Sequence, residues 1–142
     1  MYKRQAYSSG ARPYRCIGHD SRLSQVIVNL LDNAISFSPP GGRVSVKAKR
    51  VGSEIQIAVE DRGPGIPPEN LERIFERFYT DRPQEYFGQN SGLGLNISRQ
   101  IVVAHGGRLW AENRVPEAKD LGAATSQSGG ARFVIRLPAA QR

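Results

Sequence analysis

Apolar residues between positions 20 and 38 recur at intervals of three and four, which is the period of an amphipathic helix. The helix is predicted to begin at Asp20 or Ser21, both favourable N-cap residues, and to end at the Pro-Pro-Gly-Gly run of residues 39–42. Its predicted buried positions are Leu23, Val26, Ile27, Leu30, Leu31, Ala34 and Phe37. A second helix is predicted over residues 93–105, and the two glycines that follow it, Gly106 and Gly107, are predicted to end it.

Alternation of apolar and polar residues predicts strands elsewhere. Residues 43–49 and 54–61 are predicted to form a β-hairpin. One face of each hairpin strand is apolar, carrying Val44, Val46 and Ala48 in the first and Ile55, Ile57 and Val59 in the second. Similar patterns predict strands at 14–17, 108–114 and 131–138, and a helical turn within 69–79. Strands in hairpins mixed with helices indicate an α/β (α+β) two-layer sandwich with helices on one sheet face, not a doubly wound βαβ fold.

Two kinds of segment lack these patterns. Residues 1–12 are polar, so they are expected to form a flexible N-terminal segment that precedes a single domain over 13–142. Residues 80–91 and 116–130 are polar or rich in glycine and are predicted to be loops.

The composition narrows the function classes. With 142 residues, 39 % apolar and 23 % charged, the chain resembles an ordinary globular domain. It has no apolar run near the roughly 20 residues that span a bilayer and no signal-peptide core at its N-terminus. A single cysteine, Cys16, excludes an internal disulfide and fits a reducing compartment. The net charge of +7 comes from scattered basic residues, which favours a solvated basic surface over a nucleic-acid site.

Three short stretches carry candidate chemistry. In "DRGPGI", Asp61 ends an apolar strand, and a fixed carboxylate there would accept a hydrogen bond from the exocyclic amine of adenine, which guanine lacks at that position. The glycines Gly63 and Gly65 permit close approach of a flat ligand, although an ordinary turn explains them equally well. In "NSGLGL", residues 90–95, glycines precede a helix whose N-terminal N–H groups suit phosphates.

Asn29 and Asn33 are unusual inside a predicted helix, and their spacing places both carboxamides on one face. A neutral amide oxygen can bind Mg²⁺, which also relies on substrate phosphates, whereas taken alone the pair would be solvent-facing amides. A metal-binding helix, an adenine-selecting carboxylate and a phosphate-binding helix start, in this order along the chain, together predict an ATP site.

The order and spacing of these motifs resemble the catalytic, ATP-binding domain of bacterial sensor histidine kinases, in the superfamily shared with gyrase, Hsp90 and MutL. "NLLDNA" resembles its N box, "DRGPGI" the G1 box, "FERFY" the F box and "GLGL" the G2 box, and "SRQIVVAHGGRLWAEN" continues as in that family. The resemblance covers about residues 14–138. It implies the Bergerat ATP-binding fold, a mixed, largely antiparallel sheet covered on one face by about three helices.

By position, the resemblance implies that Asp61 binds the adenine amine, that Asn33 is a Mg²⁺ ligand, and that Asn29 contacts the metal or the phosphates; the two asparagines are thus the implied catalytic residues. Residues 80–91 would form the ATP lid, anchored by Phe75, Phe78 and Tyr79. The full set of implied nucleotide-binding residues is Asn29, Asn33, Phe37, Asp61, Gly63, Gly65, Ile66, Tyr79, Gly92, Leu93, Gly94 and Leu95.

Departures from the family pattern concern ligand contacts. The family commonly has a basic residue at the positions of Ser36 and Thr80, tyrosine at Phe37, and a serine or threonine at Ala131. Either Arg77 or Arg82 is a candidate for the missing phosphate contact.

Two further features bear on the reaction. Where ATPases of the superfamily carry a water-activating glutamate, this chain has Asn29, so phosphoryl transfer to an amino acid is favoured over hydrolysis. The family's phosphoacceptor box is imitated by "HDSRLS" at 19–24, but the proline and the long helical hairpin are missing. The acceptor histidine is therefore expected outside this chain.

The resemblance implies a kinase domain that binds Mg-ATP and donates phosphate to a histidine on its own or a cognate dimerisation domain, with a response regulator as indirect partner. We expect a cytoplasmic domain of an inner-membrane sensor. Two alternatives remain open, a degenerate ATP-binding sensor without kinase activity and a serine-directed kinase of the same superfamily. Binding of nucleic acid is a more distant alternative.

Overall fold

The architecture was obtained as a computed structural model, which describes residues 2–6, 14–18, 20–77, 94–115 and 129–140. Two α-helices lie in these ranges, α1 (Asp20–Phe37) and α2 (Gly94–Ala104). The strands are β1 (Tyr2–Ala6), β2 (Tyr14–Gly18), β3 (Ser45–Val51), β4 (Glu54–Glu60), β5 (Arg108–Asn113) and β6 (Ala131–Pro138). Two short 3₁₀ helices, Pro68–Asn70 and Arg73–Phe75, follow β4.

The main sheet has the strand order β3-β4-β6-β5, and every neighbouring pair in it is antiparallel. Residues that alternate along β6 face the helices, and Ile135 lies opposite both Ile57 and Leu109 in the register. This face packs against α1 and α2, and the core they share contains Leu30 and Val102, both fully buried. The two-layer sandwich with helices on one sheet face is therefore confirmed, and the hairpin of β3 and β4 lies where the alternation predicted it.

Two expectations need correction. Residues 1–12 were expected to be flexible, but Tyr2–Ala6 form β1, which pairs antiparallel with β2 in a separate two-stranded sheet. The helical turn expected within 69–79 is divided between the two 3₁₀ helices. Val46 lies on the predicted face of β3 but is half exposed, because β3 is an edge strand of the described sheet.

The predicted helix boundaries agree with the structure. The helix α1 begins at Asp20, and Pro39 lies just beyond its end. After α2, the ring of His105 donates from Nδ1 to the carbonyl oxygen of Ile101 at 2.7 Å, since a carbonyl can only accept. Within the described ranges, neither helix is both long enough and apolar enough to cross a lipid bilayer.

Candidate nucleotide-binding site

Asp61 directly follows β4, and its carboxylate is buried with 2 % of the residue exposed. Its Oδ1 accepts hydrogen bonds from the backbone N–H groups of Gly63 at 2.9 Å and Ala131 at 3.0 Å. Its own N–H donates to the carbonyl of Ala131 at 3.0 Å. Both side-chain bonds described for Asp61 involve Oδ1, so the lone pairs of Oδ2 remain available to a ligand. The carboxylate is thus oriented before any ligand arrives.

The backbone around Asp61 is packed too closely for larger residues. A Cβ atom on Gly63 would lie 2.6 Å from the carbonyl oxygen of Phe37, at the end of α1. A Cβ atom on Gly130, which has φ of 105°, would lie 2.0 Å from the carbonyl oxygen of Asp61. Both positions therefore require glycine. The role of Gly63 was predicted from sequence, whereas that of Gly130 was missed, although it lies in the Gly-Gly pair before β6.

The rest of the "DRGPGI" loop is held by an asparagine that the sequence analysis did not single out. Gly65 adopts φ of 85°, and the next residue, Ile66, is half buried against the core. The carboxamide of Asn113, at the end of β5, accepts from the N–H of Ile66 at 2.7 Å and donates to its carbonyl at 2.8 Å. This pair of bonds fixes the loop to the sheet. The only sequence signal was the position of Asn113 within "WAEN".

Asn29 connects α1 to the first turn of α2. Its Nδ2 donates to the hydroxyl of Ser98 at 3.1 Å and to the carbonyl of Gly94 at 3.4 Å. Its Oδ1 accepts from Nε2 of Gln25, one turn earlier on α1, at 2.9 Å. Asn33 is one turn further along the same helix face and is 9 % exposed. The structure therefore brings Asn29, the first asparagine of "NLLDNA", against Gly94 of "GLGL".

The start of α2 is also fastened to the 3₁₀ segment that contains Phe75. Asn96 donates from Nδ2 to the carbonyl of Phe75 at 3.0 Å, and the guanidinium of Arg99 lies 4.4 Å from the centre of its ring. Arg99 also forms two hydrogen bonds to the carboxylate of Glu72, at 2.9 and 3.1 Å. The hydrogen bond from Arg99 holds the pKa of Glu72 below its ordinary value. Phe75 itself packs edge-on against Phe133 in the core.

Several predicted residues lie outside the described ranges, namely Phe78, Tyr79, Thr80, Arg82, Gly92, Leu93 and the proposed lid at 80–91. Phe37 and Leu95 are half buried. Ser36, one of the departures noted in the sequence, donates its hydroxyl to the carbonyl of Asn33 at 2.8 Å. Ala131 lacks the usual hydroxyl but takes part in the site through its N–H group.

The described residues contain no group of three or more His, Cys, Asp or Glu side chains that could hold a metal ion. A metal at this site would therefore depend on amide oxygens together with ligand phosphates. This donor set is compatible with Mg²⁺, which retains waters and is often bound through substrate phosphates.

Comparison with known families identifies the class of this domain. Residues 18–141 match the family described as histidine kinase-, DNA gyrase B- and HSP90-like ATPases, and the chain belongs to that family. It contains the ATP-binding domain characteristic of these proteins.

The chain is similar to individual sensor kinases. It is 53 % identical over 126 residues to the sensor protein ChvG of Agrobacterium fabrum, covering 87 % of this chain and 20 % of that protein. The mycobacterial sensor histidine kinase MprB superposes with a TM-score of 0.74 at 38 % identity, over 89 % of this chain and 76 % of the solved chain. Histidine kinase ThkA, solved in complex with the response regulator protein TrrA, superposes with a TM-score of 0.68 at 26 % identity, over 94 % of this chain and 33 % of that chain. The chain spans about a fifth of the length of ChvG.

Proposed function

We propose that this chain is the catalytic domain of a sensor histidine kinase, which binds Mg-ATP and transfers its γ-phosphoryl group to a histidine on a separate dimerisation and phosphoacceptor domain. The observation that carries the proposal is the buried carboxylate of Asp61, whose Oδ1 is held by two backbone N–H groups. An oriented acceptor next to a glycine that admits a flat ring is suited to the amine of adenine.

The length of α1 supports binding of an extended triphosphate. The carbonyl of Phe37 lies against Gly63, while Asn29 contacts Gly94 two turns earlier on the helix. Eight residues of α-helix span about 12 Å, at about 1.5 Å per residue. The adenine end and the phosphate end of the proposed site therefore lie at opposite ends of one helical face, with Asn33 between them.

Asn33 and Asn29 are the residues that would hold Mg²⁺ on the protein side. Because Oδ1 of Asn29 accepts one bond from Gln25, a second lone pair on this oxygen remains for a cation. Bound Mg²⁺ supplies charge neutralisation on the phosphates. The N-terminal turn of α2, which begins at Gly94, would bind the same phosphates through its N–H groups and the positive end of the helix dipole.

The residues at the phosphate end of the proposed site favour transfer of the γ-phosphoryl group to an acceptor over hydrolysis of ATP. Asn29 is neutral and hydrogen-bonded on both sides of its carboxamide, so it has no means of accepting a proton from water. The protein contributes mainly positioning and electrostatic stabilisation, which is how phosphoryl transfer to an amino-acid acceptor is generally catalysed.

The proposed partners are a phosphoacceptor domain, belonging to the same longer protein or to a cognate one, and indirectly a response regulator. The complex of ThkA with a response regulator supports the second partner. We further propose that this chain is the cytoplasmic part of an inner-membrane sensor.

Supplying the acceptor domain in trans tests the proposed reaction. The chain, a helical hairpin with the phosphoacceptor histidine from a related sensor, Mg²⁺ and γ-labelled ATP would be incubated together. We expect acid-labile label on the hairpin and no label on this chain when the hairpin is left out. A hairpin whose acceptor histidine is replaced by alanine is the control. Absence of label from a folded, ATP-binding mixture would contradict the kinase assignment.

Two alternatives give different results in the same assay. A nucleotide sensor without kinase activity is suggested by the departures at Ser36, Thr80 and Ala131 in the sequence; it would bind ATP and label nothing. A serine-directed kinase of the same superfamily would produce acid-stable label on a protein substrate, because phosphoserine survives acid whereas phosphohistidine does not.

A further inference from the structure

Ser98 is a buried hydroxyl in a position where the helical period calls for an apolar residue. It lies on the face of α2 that also presents Ile101 and Val102 to the core, and it is 0 % exposed. A buried hydroxyl without a partner is unfavourable. The structure gives Ser98 a partner from another helix, since its Oγ lies 3.1 Å from Nδ2 of Asn29.

The surroundings of Asn29 determine which way its carboxamide is turned. The carbonyl of Gly94 lies 3.4 Å from Nδ2 and can only accept a hydrogen bond. A reversed carboxamide would place Oδ1 against that carbonyl and would lose the bond to Gly94, and the Ser98 hydroxyl would have to donate to Oδ1 instead of accepting from Nδ2. On the other side, Gln25 donates to Oδ1 at 2.9 Å. The amino group therefore faces α2, and the oxygen faces away from it.

We infer that Ser98 is a positioning residue, which holds the carboxamide of Asn29 so that Oδ1 is presented to the divalent cation and phosphates of the bound nucleotide. The inference rests on the proposed function, because it assigns Ser98 a part in binding Mg-ATP. Ser98 acts through Asn29 and does not touch the nucleotide itself. The same hydrogen bond connects α1, which carries the proposed metal ligands, to α2, whose N-terminus would face the phosphates. It therefore fixes the two helices relative to each other at the phosphate end of the proposed site.

The alternative is that Ser98 only fills space and satisfies a polar group between two helices. The two roles differ in their dependence on the cation. If Ser98 orients Oδ1, its loss weakens nucleotide binding only when Mg²⁺ is present. If it only supports packing, its loss weakens binding equally with and without Mg²⁺.

The test measures binding of a nonhydrolysable ATP analogue by calorimetry, in Mg²⁺ and in excess EDTA. We expect Ser98→Ala to weaken binding about fivefold in Mg²⁺, the effect of one hydrogen bond of ordinary strength, and to leave the affinity in EDTA unchanged. Ser98→Thr, which keeps the hydroxyl, should restore most of the loss. The matched control is Val102→Ala, one turn further on the same buried face, which should lower stability without a Mg²⁺-specific effect.

A double-mutant cycle with Asn29→Ala makes the test specific to the proposed pair. We expect Ser98→Ala to cause no further loss of Mg²⁺-dependent affinity once Asn29 has been truncated. Additive losses, or equal losses in Mg²⁺ and EDTA, would overturn the inference. Failure of the wild-type chain to bind the analogue in Mg²⁺ would instead contradict the proposed function, so the two failures are distinguishable.

A measurement on the wild-type chain covers the case in which Ser98→Ala does not fold. The side-chain amide protons of Asn29 should exchange slowly with solvent, because Nδ2 is bonded to Ser98 and Gly94. The side chain of Gln100, whose Nε2 makes one solvent-exposed hydrogen bond to Asn96, provides a reference for faster exchange. Equally fast exchange at Asn29 would show that the orienting bonds do not persist, and the inference would be wrong.

Discussion

At the scale of single residues, the clearest feature is that the Asp61 carboxylate is oriented by backbone groups alone. The N–H groups of Gly63 and Ala131 both bind Oδ1, and they belong to parts of the chain about 70 residues apart. Side chains at these two positions are not involved in the bonds. An alanine at position 131 is therefore sufficient to hold the carboxylate.

Replacing Asp61 with asparagine should weaken ATP binding and relax base selectivity. The amide can keep its oxygen on the two N–H groups, but its amino group then faces the adenine amine, donor against donor. We expect affinity for ATP to fall about tenfold or more, while affinity for GTP changes less. Calorimetric titration with both nucleotides measures this.

The matched control for that substitution is Asp32→Asn, on the exposed face of α1. It should leave the affinities for both nucleotides unchanged. Unaltered ATP binding by Asp61→Asn would refute the adenine assignment.

At the scale of elements, periodicity predicted the helices and the hairpin because each pattern is local. The strand β1 was missed since Tyr2–Ala6 lack apolar alternation; their strand conformation comes from pairing with β2. Within the candidate site, Asn29 and Asp61 were predicted from sequence motifs. Asn113 and Ser98 were not, because each acts through a contact with a residue 47 or 69 positions away. Sequence spacing carries no information about such contacts.

The attachment of α2 to the 3₁₀ segment should depend on pH through Glu72. Arg99 holds the pKa of this carboxyl below the ordinary 4.5, so the ion pair stabilises the fold above that value and the contribution disappears as pH falls through the lowered pKa. Because the Glu72 side chain is 73 % exposed, solvent screening keeps the contribution below about 1 kcal/mol.

Glu72→Gln tests this effect. Urea denaturation should show a small loss of stability at pH 7, a loss that diminishes as the pH falls below 4.5, and a smaller loss in 1 M salt. Arg99→Ala should cost more at either pH, because it also removes the contact with the ring of Phe75. A Glu72→Gln effect that did not diminish with falling pH would assign the loss to something other than the ion pair.

At the scale of the whole molecule, the two faces of the main sheet are chemically different. One face packs against the helices, and the other carries charged residues across all four strands. The carboxylate of Glu60, 3 % exposed, lies 3.4 Å from Lys47, 3.4 Å from Arg114 and 3.3 Å from Arg132. Arg114 is itself 4 % exposed, so this part of the network is shielded from water.

Removing the charge of Glu60 should destabilise the domain without altering ligand selectivity. With Glu60→Gln, the buried ion pair between Arg114 and residue 60 is lost, and we expect a loss of about 3 kcal/mol in the free energy of unfolding. The control is Glu54→Gln, whose partners Arg108 and Arg136 are more exposed, with an expected loss below about 1 kcal/mol. Equal losses in urea denaturation would show that burial of the pair is unimportant.

The bond from the Ala131 amide to Asp61 has a practical use in spectroscopy. This proton is hydrogen-bonded to Oδ1 of the carboxylate, so its resonance frequency should change when Oδ2 accepts a hydrogen bond from the amine of a nucleobase. A titration with unlabelled nucleotide can therefore be followed at a single peak of the isotope-enriched protein. Adenosine lacking phosphates would shift that peak as well, while inorganic pyrophosphate would leave it in place, which separates occupancy of the two ends of the cleft.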